Sequence, residues 1–73
     1  MRIPLDQQST TPLYQQIENY LRANILSGKL APQTRLPATR QLAQALGVSR
    51  ITVNNAYATL ESEGLLYSHE GSG

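Results

Sequence analysis

The sequence predicts a mostly α fold with a small β element near its C-terminal end, in which two short helices meet through a three-residue turn. Three observations carry this expectation. Thr39-Arg-Gln-Leu-Ala-Gln-Ala-Leu46 is followed by Gly47, a residue that adopts positive φ freely and so ends helices. Ser49 stands where a following helix needs its cap, with a hydroxyl able to accept from the backbone N–H of Ile51 or Thr52. Leu42, Leu46, Val48, Val53 and Ala56 form one apolar wedge, and small Ala43 lies where the two helices approach most closely.

The elements follow in order. Residues 1–10 show no hydrophobic period and read as an N-terminal arm, extended and flexible, ahead of a single domain over 11–73. Thr11-Pro12 is a helix start, with Thr11 as cap and Pro12 at the first helical position. Leu13, Ile17, Tyr20, Leu21 and Ile25 then recur at helical spacing, and Gly28 closes that helix after Ser27. Leu30 to Thr34 is a turn opened by Pro32. Arg35-Leu36 reads as a very short strand. The second helix spans Thr39 to Leu46. The third runs from Arg50 to about Ser62, burying Val53, Ala56, Tyr57 and Leu60, and ends at Gly64. Leu65 to Ser68 is a strand candidate, and His69 to Gly73 a turn. This order is that of a winged helix-turn-helix whose wing stops at its tip.

Composition narrows the function. With 73 residues there is room for one domain near the lower size limit for folding without staples. No cysteine is present, and a lone His69 makes no metal site. Phe and Trp are absent, so the core is aliphatic with Tyr. No run approaches the roughly twenty apolar residues of a membrane span, and no apolar signal segment opens the chain, which points to the cytoplasm. No paired acid–base constellation and no nucleophile–His arrangement argues for an enzyme. The formal net charge is only +1, but its distribution is uneven. Arg22, Lys29, Arg35, Arg40 and Arg50 fall in a stretch free of acids from Asn19 to Leu60. A basic centre between acidic ends suits a surface that meets phosphate, although a solvated mixed-charge surface gives the same pattern.

The outward face of the third helix supplies the sharper signal. Arg50, Thr52, Asn54 and Asn55 offer donors and acceptors of the kind that read base edges in the major groove, with no acid before Glu61. Arg50 also lies beside a helix N-terminus, where the backbone dipole favours an anion. Arg40 on the second helix and Arg35 before it are further candidates for DNA contact. Arg40 has an alternative role in pairing with Glu61 or Glu63, and Arg35 in flanking the short strand. Ile51 is the one large apolar side chain on this face, suited to a thymine methyl or to a protein partner. A protein-interaction module is the competing class, and an ordinary helical hairpin the plainest alternative.

Several motifs together resemble a known family. They are Pro12-Leu-Tyr-Gln-Gln-Ile17, Ile25-Leu-Ser-Gly-Lys-Leu30, Leu36-Pro-Ala-Thr-Arg-Gln-Leu-Ala43, Leu46-Gly-Val-Ser-Arg50, Thr52-Val53, Ala56-Tyr57 and Glu63-Gly-Leu65. In combination they resemble the N-terminal domain of GntR-type bacterial transcription regulators. Ile3-Pro-Leu-Asp6, Pro37-Ala-Thr-Arg40 and Val48 to Tyr57 look most like the MocR branch, while a small YtrA-like regulator remains the alternative. The resemblance implies base or phosphate contacts from Arg40, Arg50, Thr52 and Asn54, and a minor-groove contact from the wing tip around Gly71. It implies double-stranded DNA as partner, a homodimer for the full-length protein and a monomer for this fragment. In the MocR branch it also implies an aminotransferase-like C-terminal domain, absent from this chain, that binds pyridoxal phosphate. Two positions depart from the family's common pattern. Ala38 stands where many members carry a Ser cap, which moves the start of the second helix to Thr39. Asn54 stands where many carry Arg, and Asn pairs naturally with adenine rather than guanine.

Overall fold

The computed structural model describes residues 3–30 and 36–66. Among them are three helices and no strand: α1 (Leu13–Leu26), α2 (Thr39–Leu46) and α3 (Arg50–Ser62). Both α1 and α2 pack on α3. The seam is the expected one. Ile17 and Leu21 of α1, Leu42 and Ala43 of α2, and Val53, Ala56 and Leu60 of α3 form one buried cluster. Leu46, Val48 and Tyr57 are half-buried against it.

The turn between α2 and α3 follows from local chemistry. Gly47 takes φ 72° and ψ 32°, a left-handed conformation that costs a side chain with a Cβ about 1–2 kcal/mol. That twist lets the Val48 N–H reach back to the Ala43 carbonyl at 3.0 Å, and Val48 then packs on the core. The end of α3 repeats the device: Gly64 has φ 80°, and the Leu65 N–H donates to the Leu60 carbonyl at 2.9 Å. At the start of α3 the Ser49 hydroxyl accepts from the Thr52 N–H at 3.1 Å, the second of the two donors expected for it.

The start of α1 differs from expectation. Pro12, not Thr11, is the N-cap residue, the helix begins at Leu13, and no side chain caps it. Thr11 lies one position too early for its hydroxyl to serve the first free N–H groups. The Gln16 amide holds the entry instead. Its Nε2 donates to the carbonyls of Thr11 at 2.8 Å and Asp6 at 2.9 Å, and its Oε1 accepts from the Asp6 N–H at 2.8 Å. Through this clamp the leading segment lies against the helices. Ile3 is 5% exposed within the core cluster, and Leu5 packs beside it. Ile3 and Leu5, in the segment expected to be a flexible arm, therefore contribute to the core, while Pro4 and residues 6–10 are exposed.

Of the expected β elements, Leu36 is not in a strand, and Leu65-Leu66 forms a bend. Pro32, the rest of the Leu65–Ser68 strand, His69 and the wing tip lie outside the described residues.

Candidate nucleic-acid interface

The polar face is set by the roll of α3. Val53, Ala56 and Leu60 are fully buried, and they fix which side faces inward. At roughly 100° per residue, Ile51, Asn55, Ala58 and Asn54 then cover the opposite side, with Arg50 and Thr52 on its two flanks. Burial agrees: Arg50, Ile51, Asn54, Asn55 and Ala58 are exposed, and Thr52 is half-buried. Among the described residues the side chains of Arg50, Asn54 and Asn55 form no ion pair, and no hydrogen bond ties them to the protein. Their donors and acceptors point to solvent, the condition a base-reading surface needs before its ligand arrives.

Thr52 is held differently from its neighbours. Its Oγ1 lies 2.9 Å from the Ser49 Oγ, and its N–H is the donor to that same cap. The hydroxyl therefore belongs partly to the helix start, with one lone pair or its proton left for an outside partner. Arg40 is exposed on α2. The alternative of an ion pair to Glu63 does not form, because Glu63 is engaged elsewhere. The Arg22 guanidinium forks onto it, Nε to Oε1 at 3.0 Å and Nη2 to Oε2 at 2.9 Å. The same guanidinium lies 3.8 Å from Glu18 on α1. Arg22 thus links α1 to the end of α3 and leaves the set of free cations. The hydrogen bonds it donates to Glu63, and the charges of Glu63 and Glu18, raise its pKa still further. Arg35 and Gly71, the two remaining candidates, lie outside the described residues.

Two structural supports of this face were not read from sequence. The Tyr57 hydroxyl donates to the Pro37 carbonyl at 2.9 Å, tying α3 to the entry of the helix that carries Arg40. Burial pushes its phenol up to about 12. The second is the Gln16 clamp. Its signal is weak in sequence, since a glutamine on a helix reads as a solvated residue until the chain before it is seen to fold back.

Comparison with known proteins agrees with this geometry. A profile of the family described as bacterial regulatory proteins, gntR family, matches residues 13–73. The chain is 49% identical over 69 residues to the probable rhizopine catabolism regulatory protein MocR of Rhizobium meliloti. That match covers 94% of this chain but only 14% of MocR, so the chain spans a small part of that relative's length. YtrA from Sulfolobus acidocaldarius, a GntR-family transcription factor, superposes with a TM-score of 0.85 at 42% identity, covering 92% of this chain and 71% of that one. The AraR(DBD) structure in complex with operator ORE1 superposes with a TM-score of 0.76 at 37% identity, covering 100% of this chain and 89% of that one. The three helices, their turn and the extent of these matches lead to one assignment: the chain belongs to the gntR family of bacterial regulatory proteins as a winged helix-turn-helix domain, similar to the MocR-like branch.

Proposed function

We propose that this domain binds double-stranded DNA sequence-specifically, with the first turns of α3 in the major groove, as the reading part of a transcription regulator. The observation that carries this is the exposed, acid-free face of α3, where Arg50, Asn54 and Asn55 have uncommitted polar groups. The likeness to an AraR domain bound to its operator supports it. On this reading Arg50 forks onto a guanine or grips a phosphate, and Asn54 pairs with adenine. Asn55 reads the neighbouring step. Arg40, Thr52 and Arg35 hold the backbone, and the wing around Gly71 enters the minor groove.

The resemblance to the MocR branch supports further proposals about the full-length protein. It acts in the cytoplasm as a homodimer, and an aminotransferase-like domain elsewhere in it binds pyridoxal phosphate. The described residues here do not fit that cofactor. The chain's one lysine, Lys29, is exposed in the turn after α1, and no catalytic role falls to this domain.

Selection of duplexes from a random pool, followed by competition with unselected duplex, tests the reading. Enrichment of a defined sequence that outcompetes random DNA is the expected result. A pool that stays random through successive rounds refutes sequence-specific binding. Ile51, 70% exposed, favours a second reading as a protein-docking surface, which that same failure leaves standing.

A further inference from the structure

Ile51 is exceptional on α3. It falls diametrically opposite the buried Val53, Ala56 and Leu60, so it is the outermost side chain of the first turn. It is 70% exposed, although apolar and β-branched, and stands among Arg50, Asn54 and Asn55. Nothing among the described residues accounts for it there. It is not among the residues that form or flank the core cluster, and helix propensity does not select it over the Thr and Asn around it, which form helix about equally well. Its branch at Cβ leaves one strongly preferred χ1 in a helix, so its γ-methyl is held in place before any partner arrives.

We propose that Ile51 is a specificity-determining residue that selects thymine through its 5-methyl group. The inference rests on the DNA-binding reading above. In the major groove the thymine methyl is the one alkyl group that a base edge presents; cytosine has only a C5–H at that position beside its amino donor, and adenine and guanine present N7 with an amino or carbonyl group. A side chain at the outermost point of an inserted helix reaches base edges first. At that point a polar residue would meet the same donors and acceptors that Arg50 and Asn54 already address. An apolar one adds information those side chains cannot supply. Ile51 favours T·A steps where its methyl groups close over the thymine methyl and both leave water. Opposite a cytosine edge it buries an amino group with no partner.

A double-mutant cycle tests this on the 73-residue chain with duplexes selected from a random pool. One arm replaces thymines under α3 with uracil, which removes only the methyl and keeps pairing and the O4 acceptor. The other arm is Ile51→Ala. Because Ile51 is exposed, the variant should melt with the parent. Uracil at the contacted position is expected to weaken the parent about threefold to fivefold, as for roughly one buried methylene. It should leave the variant's affinity unchanged within twofold, the coupling being specific to the pair. Equal loss in parent and variant overturns the proposal, as does no loss in either. A selected site with no thymine beneath α3 on either strand overturns it too. Failure to select any site at all defeats the DNA-binding reading itself, so the two failures are told apart.

Discussion

Individual side chains divide into those already committed within the fold and those left for a ligand. Arg50 follows the Ser49 cap directly and is exposed, with no ion pair among the described residues. Arg50→Ala should weaken binding to a selected duplex by about 1–3 kcal/mol, with a smaller loss on random duplex. Equal losses on both, measured by titration at fixed salt, would make it a phosphate contact instead. Tyr57 gives a prediction about pH. Its phenol ionises near 12 in the folded state and near 10 when unfolded, so the unfolded chain releases the proton first. The stability held by this group is complete below about pH 10 and is lost as pH rises toward 12. Denaturant unfolding between pH 8 and 11 should show a steeper decline for the parent than for Tyr57→Phe. Parallel curves would mean that the phenol is no better shielded than in the unfolded chain. The exposed polar face of α3 was legible in the sequence because helical spacing sorts residues by face. It did not show that Thr52 shares its hydroxyl with Ser49, or that Arg22 is taken by Glu63. Both depend on side-chain directions, and the second on a partner 41 residues away.

The helices α2 and α3 have the bounds that the sequence predicts, and the reason is local. Gly47 and Ser49 are terminators whose action needs only backbone within a few residues. The start of α1 was less legible, because its entry is fixed by the Gln16 amide reaching back ten residues to Asp6, not by a cap at Thr11. The turn also separates two kinds of cost. A Cβ built on Gly47 meets nothing within 4 Å, so substitution there strains the backbone without a clash. Gly47→Ala should therefore lower stability by about 1–2 kcal/mol, and Gly47→Asn by less, since Asn tolerates the left-handed region. Chemical denaturation of the two variants checks the order. If Ala and Asn cost the same, or neither costs anything, the left-handed φ of 72° is not what holds the turn.

At the scale of the molecule, charge and size decide how the domain meets DNA. Net charge is only +1, and with Arg22 bound to Glu63 and Glu18 the cations left without an ion pair among the described residues are Lys29 after α1, Arg40 on α2 and Arg50 at the start of α3. A field of that kind supplies few phosphate contacts, so a single copy should hold one half-site weakly. The apolar surface argues in the same direction. Among the described residues the exposed large apolar side chains are Tyr14, Leu26 and Ile51, and helical spacing puts Tyr14 and Leu26 on different faces of α1. Among the described residues, Tyr14 and Leu26 therefore share no apolar face on α1 to bury in a stable dimer. The 73-residue chain should therefore sediment as a monomer, and two copies should occupy a palindromic duplex without strong cooperativity. Each phosphate contact contributes nearly one unit to the slope of log affinity against log salt. A half-site titration between about 50 and 200 mM salt should then show a steady loss with a slope of only a few units. A tight dimer in sedimentation would place an interface on surface that this reading leaves bare. A slope near zero would move the source of affinity from phosphate to the base contacts of α3.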